Sequence, residues 1–172
     1  MLVIIDMQNQ ILDAQNDAYV PDSQALSARI ARRLRRTREN HEYILYTPDI
    51  PIALKDTPHE ERASLQIIPE LAPRENEKVV KKYYYSIPPE VLIDIKETIF
   101  AAKEEKEIEI AGVETNICVL SNTIEIQSAF PDADFVIQKE LVAGKSHESE
   151  GLDILKDFHV KIVGEDEKTG TE

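Results

Sequence analysis

The chain has 172 residues, of which 42% are apolar and 31% charged, a composition typical of one globular domain with its own core. Its 20 basic and 33 acidic residues give a formal net charge of −13, which disfavours nucleic acids and anionic membranes as partners. One cysteine excludes an intrachain disulfide, and because the chain has neither a membrane-span pattern nor a signal-peptide pattern, we expect a cytoplasmic protein.

Segments with strand and helix patterns alternate along the chain. Short continuous apolar runs indicate strands that are buried on both faces, and apolar residues at helical spacing indicate amphipathic helices. In chain order we predict a strand at 2–5, a helix at 22–40, a strand at 43–47, an irregular proline-rich segment with one helical turn at 49–76, a strand at 78–86, a helix at 88–106, a strand at 107–112, a helix at 118–129, a strand at 133–138, a helix at 146–158 and a strand at 159–164.

This alternation predicts an α/β protein of three αβα layers, in which helices cover both faces of a doubly wound, mostly parallel six-stranded sheet. We expect one domain over residues 1–164 and a disordered tail over residues 165–172 (EDEKTGTE). The arginine-rich run at residues 32–36 (RRLRR) is interpreted as a solvated helix face rather than a phosphate site.

Three kinds of reactive side chain follow predicted strands. Asp6 comes directly after the first strand, Lys81 and Lys82 lie at the end of the apolar start of the third, and Cys118 follows the fourth by a short loop. Ligands of open parallel sheets bind beyond the carboxyl ends of the strands. A carboxylate there can take a thiol proton, and a helix N-terminus and a lysine both favour the thiolate. The pattern therefore predicts a nucleophilic site at this edge.

Each residue also has a structural interpretation. A lone cysteine at the start of an apolar helix is more often part of the core, and an aspartate after a strand is commonly a turn or capping residue. A lysine at a strand end is usually solvated. No histidine is close in sequence to these positions, so a Cys–His pair is not indicated.

Three motifs resemble one known family. The segment VIIDMQNQIL (3–12) is similar to the opening of the isochorismatase-like cysteine hydrolases, a superfamily that includes nicotinamidases and N-carbamoylsarcosine amidases. The segment GVETNICV (112–119) resembles the nucleophile turn of the family, and KKYYYS (81–86) resembles its Lys-x-x-x-Ser segment. The serine is Ser86, so Lys82 is the matching lysine. The motifs occur in family order and span nearly the whole chain.

The resemblance implies a catalytic triad of Asp6, Lys82 and Cys118. Asp6 would act as general base and acid, Lys82 would support the pair electrostatically, and Cys118 would form an acyl-thioester. The resemblance also implies a cis peptide bond between Val113 and Glu114, which would turn the backbone N–H groups of Glu114 and Cys118 toward an oxyanion.

The metal site of the nicotinamidases is not expected in this chain. Those enzymes bind a divalent ion through an aspartate and several histidines after the second strand; Asp49 stands in the equivalent loop, but Pro51 falls where the first histidine would be. The histidines, His41, His59, His147 and His159, lack ligand spacing. We expect no metal and no cofactor, and nicotinamide is disfavoured as a substrate.

The substrate pocket is expected to include Gln8, Tyr85 and Asn116. The Ser-Ala-Phe of the family is Ser-Ile-Pro here (86–88), so its aromatic wall is missing or is supplied by Tyr84 or Tyr85. Ordinary strand packing is the preferred interpretation of these tyrosines.

The leading functional hypothesis is a cofactor-free cysteine hydrolase that cleaves a C–N bond of a small amide. A non-catalytic binding or assembly protein of the same family is the alternative from another class. Hydrolysis of a vinyl ether like that of isochorismate is a third hypothesis. The presence of Cys118 disfavours it, because that chemistry does not need the thiol. By resemblance alone, we expect a homo-oligomer, either a dimer or a tetramer.

Overall fold

A parallel sheet organises the structure, a computed structural model that describes residues 1–100 and 106–164. Within these residues the sheet has seven strands: β1 (Leu2–Ile5), β2 (Ile44–Thr47), β3 (Lys78–Val79), β4 (Glu107–Val113), β5 (Asp134–Gln138), β6 (Val142–Ala143) and β7 (Lys161–Val163). Their order is β3-β2-β1-β4-β5-β7, every pairing is parallel, and the short β6 pairs with the carboxyl end of β4. The central position of β1 and β4 brings their ends together at one edge.

Helices cover the two faces of the sheet. They are α1 (Ser23–Glu39), α2 (Pro89–Ile99), α3 (Leu120–Ala129) and α4 (Glu148–Asp157). One hydrophobic cluster joins the sheet to α1, and the other joins it to α2, α3 and α4. Strand β1 contributes to both, because Leu2 and Ile4 lie in the α1 cluster while Val3 and Ile5 lie in the other. The predicted three-layer α/β class is confirmed.

The structure differs from the predicted elements at several boundaries. The third strand spans two residues instead of nine, the two-residue β6 was not predicted, and the segment between β2 and β3 contains four short 3₁₀ turns. Helix α3 begins at Leu120 because Thr115–Val119 forms a π-helical turn before it. The predicted continuation of α2 over residues 101–105 and the predicted tail at 165–172 lie outside the described residues. No helix within the described ranges combines the length and the apolarity that crossing a membrane requires.

The arginine-rich run on α1 is solvated only in part. Arg32, Arg35 and Arg36 are exposed, as expected. The Arg33 guanidinium instead faces the sheet, where its Nε lies 2.6 Å from Oε2 of Glu109 on β4. The Glu109 side chain is only 5% exposed, so this ion pair compensates a buried carboxylate in the middle of the sheet.

We expect Arg33→Met to lower the free energy of unfolding by about 2–3 kcal/mol, because it leaves the Glu109 carboxylate buried without its cation. Urea denaturation would measure the loss. Arg35→Met, on the exposed face of the same helix, should change stability by less than about 0.5 kcal/mol. Adding Glu109→Leu to Arg33→Met should recover most of the loss. Equal effects of the two single substitutions would show that the pair contributes little.

Candidate active site

Asp6 is held at the carboxyl end of the central strand β1. Its backbone adopts a left-handed conformation with a φ of 53°, and its N–H donates to the Thr47 carbonyl at 3.3 Å. Strand β4 passes closely beside it: a Cβ atom at Gly112, which has a φ of +124°, would lie 2.0 Å from the carbonyl oxygen of Ile5. Only glycine at position 112 allows this approach of the two strands. The pairing places the end of β4 and the residues that follow it next to Asp6.

Lys82 is anchored by its backbone to the segment after β2. Its N–H donates to the Pro48 carbonyl at 3.0 Å, and its own carbonyl accepts from Ile50 at 2.8 Å. The side chain is fully buried. Lys81, the other lysine considered above, points elsewhere: its Nζ donates to the carboxylates of Glu60 and Glu61. Of the two lysines at this strand end, Lys82 is therefore the one at the site.

The Lys82 ammonium is the centre of a cluster of ionisable groups. Nζ lies 2.9 Å from Oδ2 of Asp6, 3.2 Å from Oδ1 of Asp49 and 3.7 Å from Sγ of Cys118, and it also donates to the Tyr84 carbonyl at 3.2 Å. The Asp6 carboxylate and the Cys118 thiol are close enough to shift the pKa of one another. Lys82 thus contacts two residues that are distant in sequence: Asp6, 76 positions away, and Cys118, 36 positions away.

Cys118 lies in the π-helical turn between β4 and α3 and is partly exposed. Asn122, one turn further on, is fully buried and fixes this turn: its Nδ2 donates to the carbonyls of Cys118 at 2.7 Å and Tyr85 at 2.8 Å. Its Oδ1 accepts from the N–H of Ile87. Asn122 was not among the predicted site residues; an amide four residues after the cysteine, on the buried face of the helix, is the signal that could have identified it.

The electrostatics of the cluster differ from the expectation for the thiol. Burial raises the pKa of the Asp6 carboxyl from 3.8 to about 7, with the Lys82 ammonium acting in the opposite direction. Burial, and then the charge of Asp6, also raise the pKa of the Cys118 thiol, and together they outweigh Lys82. Burial lowers the pKa of Lys82, but the negative neighbours outweigh it and the net shift is upward. The resting thiol is therefore protonated, contrary to the thiolate that the helix end and the lysine favour.

A cavity of about 190 Å³ opens beside these groups. Its wall combines aliphatic, acidic and aromatic side chains: Asp6, Gln10, Ile11, Ala18, Val20, Asp49, Tyr85, Val113, Glu114, Ile117 and Cys118. The Val113–Glu114 peptide bond in this wall is cis. Larger cavities of about 500 and 670 Å³ are lined by none of Asp6, Lys82 or Cys118, so the smaller one is the candidate site.

Of the residues expected to line the pocket, the structure brings only Tyr85 to the cavity. Gln8 is fully buried, and its side-chain amide bonds to both the N–H and the carbonyl of Asp49 and to the carbonyl of Leu65. The Gln8 side chain therefore links Asp49, just after β2, to Leu65, further along the segment that connects β2 to β3. Asn116 packs against α4, where a Cβ at Gly151 would lie 2.8 Å from the Asn116 Cα.

The residues around Asp49 do not fit a metal ion. Its carboxylate is bonded to the Lys82 ammonium, whose positive charge would repel a metal ion beside the same carboxylate. His59 is exposed to solvent. Among residues 1–100 and 106–164, no group of three His, Cys, Asp or Glu side chains is arranged to hold a metal.

The chain was compared with known families and proteins. The model of the isochorismatase domain matches residues 1–151, and a search of curated proteins gives no match. Solved structures with the same fold include an isochorismatase-like hydrolase from Alkaliphilus metalliredigens, with a TM-score of 0.77 and 20% identity over 94% of this chain and 92% of that one.

Two further structures with this fold are named as amidases. The pyrazinamidase of Pyrococcus horikoshii in complex with zinc has a TM-score of 0.76 and 17% identity over 95% of this chain and 98% of that one. A nicotinamidase/pyrazinamidase from Bacillus subtilis has a TM-score of 0.77 and 18% identity, again over 95% and 98% of the two chains. At sequence identities this low, the structural similarity establishes a shared fold and nothing more.

Proposed function

The chain belongs to the isochorismatase domain family, and from that premise we propose that it is a cysteine hydrolase that cleaves the C–N bond of a small amide. One observation carries the proposal: the buried Lys82 ammonium contacts both the Asp6 carboxylate and the Cys118 sulfur, and Asp6 and Cys118 line the same cavity. Solved structures with this fold that are named nicotinamidase or pyrazinamidase support an amide as the substrate class.

In the first half of the proposed reaction, Asp6 takes the thiol proton as Cys118 Sγ attacks the amide carbonyl carbon. Lys82 keeps Asp6 in place and offsets the negative charge that develops on the sulfur. The backbone N–H groups of Glu114 and Cys118 would bind the oxyanion of the tetrahedral intermediate. Asp6 then returns the proton to the leaving nitrogen, the C–N bond breaks, and ammonia or an amine departs from an acyl-thioester.

In the second half, water replaces the departed amine. Asp6, again ionised, removes a proton from this water while its oxygen attacks the thioester carbonyl. The C–S bond breaks, the carboxylic acid leaves, and the proton held by Asp6 returns to the Cys118 sulfur. The cycle needs no redox partner and regenerates the protonated thiol, in agreement with the raised pKa of Cys118.

The burial of charge argues against a purely structural role for the cluster. A cysteine that only fills space needs no carboxylate or ammonium beside it. Lys82 is fully buried together with the nearly buried Asp6, an arrangement that costs desolvation energy and is often less stable than apolar packing. Such groups concentrate at functional sites. A non-catalytic binding protein would have no use for the proton transfer that this pair makes available.

A screen of small aliphatic and aromatic primary amides for ammonia release tests the proposed function. Turnover that persists in excess chelator would support a hydrolase that needs no metal. Mass spectrometry of the quenched reaction should show an acyl adduct on Cys118. Absence of both ammonia and adduct across the panel would favour the non-catalytic alternative.

The pH dependence should follow the Asp6 carboxyl. This group accepts the thiol proton only when ionised, and its pKa is raised to about 7. We therefore expect the rate of Cys118 alkylation by iodoacetamide, and kcat/KM for any substrate, to rise as pH increases through about 7 and to fall below it. In Asp6→Asn this step should disappear, so that labelling rises only at alkaline pH. Identical profiles for the two proteins would contradict the role of Asp6.

A further inference from the structure

The geometry points to a charge preference in this cavity: we propose that it selects short amides that carry a positive charge, and that Asp49 is the residue that determines this specificity. The inference rests on the proposed function, because it concerns the substrate of the same site. It arises from the balance of charges around the cavity and from the position of the Asp49 carboxylate.

The charged residues of the cavity wall are all acidic. Asp6, Asp49 and Glu114 line it, and none of the lining residues is lysine, arginine or histidine. The Lys82 ammonium behind the wall is shared between Asp6 and Asp49. One positive charge therefore faces two carboxylates, and when Asp6 is ionised for catalysis the cluster carries one excess negative charge.

Glu114 does not carry that excess charge. Its Oε1 lies 3.5 Å from the Lys145 Nζ, and its Oε2 accepts a hydrogen bond from the Lys145 N–H at 3.2 Å. The negative charge of Glu114 is thus compensated by Lys145, which does not line the cavity. The uncompensated charge belongs to the group formed by Asp6, Lys82 and Asp49.

Asp49 is the member of this group that a ligand can reach. Its side chain is 38% exposed, against 11% for Asp6 and 0% for Lys82. Its Oδ1 accepts from Lys82, while Oδ2 has no hydrogen-bond partner among the described residues. A second acceptor is unused nearby: Oδ1 of Asp6 is buried in the cavity wall without a nitrogen or oxygen donor from the described part of the chain. Both carboxylates thus offer an oxygen to a ligand that brings hydrogen-bond donors.

The remaining wall sets the size and shape of the ligand. It is largely aliphatic, and its aliphatic members are Ile11, Ala18, Val20, Val113 and Ile117. A volume of about 190 Å³ suits a short chain better than a large ring system. Because apolar walls strengthen the interaction between charges, the carboxylate should discriminate strongly between ligands of opposite charge. A dicarboxylate vinyl ether, the third hypothesis above, would be repelled.

Three amides of similar length test the inference: 4-aminobutanamide is cationic, pentanamide is neutral and succinamate is anionic. Relative to the neutral amide, we expect kcat/KM to be at least tenfold higher for the cationic amide and at least tenfold lower for the anionic amide. The difference should lie mainly in KM, because the charge binds away from the reacting carbonyl. Protection of Cys118 from iodoacetamide by the same compounds gives a second readout that needs no turnover, and the order should be the same.

Asp49→Asn should lower the ratio of cationic to neutral kcat/KM about tenfold. The ratio is the decisive quantity, because the loss of a Lys82 partner would change the rates of all three substrates together. Asp153→Asn, which removes an exposed carboxylate on α4, has the same effect on net charge and should leave the ratio unchanged.

The outcomes separate the two proposals. The charge preference would be overturned if the cationic and neutral amides were hydrolysed equally well or protected Cys118 equally well. An unchanged ratio of cationic to neutral kcat/KM in Asp49→Asn would also overturn it. Either result would leave the amidase proposal standing. If the cationic amide protects Cys118 in the expected order but no amide in the wider screen is hydrolysed, the specificity of the cavity stands and the hydrolase proposal fails.

Discussion

Cys118→Ala is expected to reduce amide hydrolysis by roughly 10⁴-fold or more. The proposed route passes through a covalent thioester, and no other residue that lines the cavity carries a thiol, an aliphatic hydroxyl or an amine. Ammonia release from the best amide of the screen would measure the loss. The acyl adduct should disappear from the mass spectrum at the same time.

The same substitution should leave the fold intact. Cys118 is partly exposed, and its side chain is replaced by one that differs only in the sulfur atom, so we expect stability to change by about 1 kcal/mol or less. Thermal unfolding of the variant beside the parent protein is the necessary control. A Cys118→Ala protein that keeps its melting temperature and also keeps its turnover would exclude the thiol from the reaction.

Gly112→Ala is expected to be the most destabilising single substitution that the structure predicts, at about 4 kcal/mol or more. The added Cβ would lie 2.0 Å from the carbonyl oxygen of Ile5, a separation at which the two central strands must move apart. The positive φ of +124° adds strain for any L side chain. Urea denaturation and the yield of folded protein would measure the effect.

Gly164→Ala is the matched control, because Gly164 also has a positive φ, +87°, but a Cβ there would meet no atom of residues 1–100 or 106–164 within 4 Å. It should cost only the conformational strain, about 1 kcal/mol. Because Ile5 directly precedes Asp6, any Gly112→Ala protein that does fold should also show impaired hydrolysis. Similar unfolding midpoints for the two variants would contradict the steric argument.

The prediction that Asp6 and Cys118 meet could be made from the sequence because it depends only on topology. Both residues follow strands, and in a parallel sheet the carboxyl ends of neighbouring strands lie at one edge. The choice between Lys81 and Lys82 needed either the family motif or the structure. Adjacent residues of an extended chain point in opposite directions, and the register of that chain is not readable from its residues.

The roles of Gln8 and Asn122 show where prediction from sequence ended. Both are amides that hydrogen-bond to backbone groups distant in sequence, and such partners are defined only after the loops have packed. Gln8 was expected to line the substrate pocket. Its side-chain amide instead forms hydrogen bonds with the backbone of Asp49 in the loop after β2.

The order of apolar and polar residues was by itself sufficient to determine the α/β class and the three layers, and it placed the candidate reactive residues at the ends of strands. These depend on local periodicity and on the general rules of strand connection. Only the tertiary structure decided the protonation of the thiol, the compensation of each carboxylate and the size of the cavity. Those properties depend on burial and on distances of a few ångströms between residues far apart in the chain, and electrostatic energies change steeply over that range.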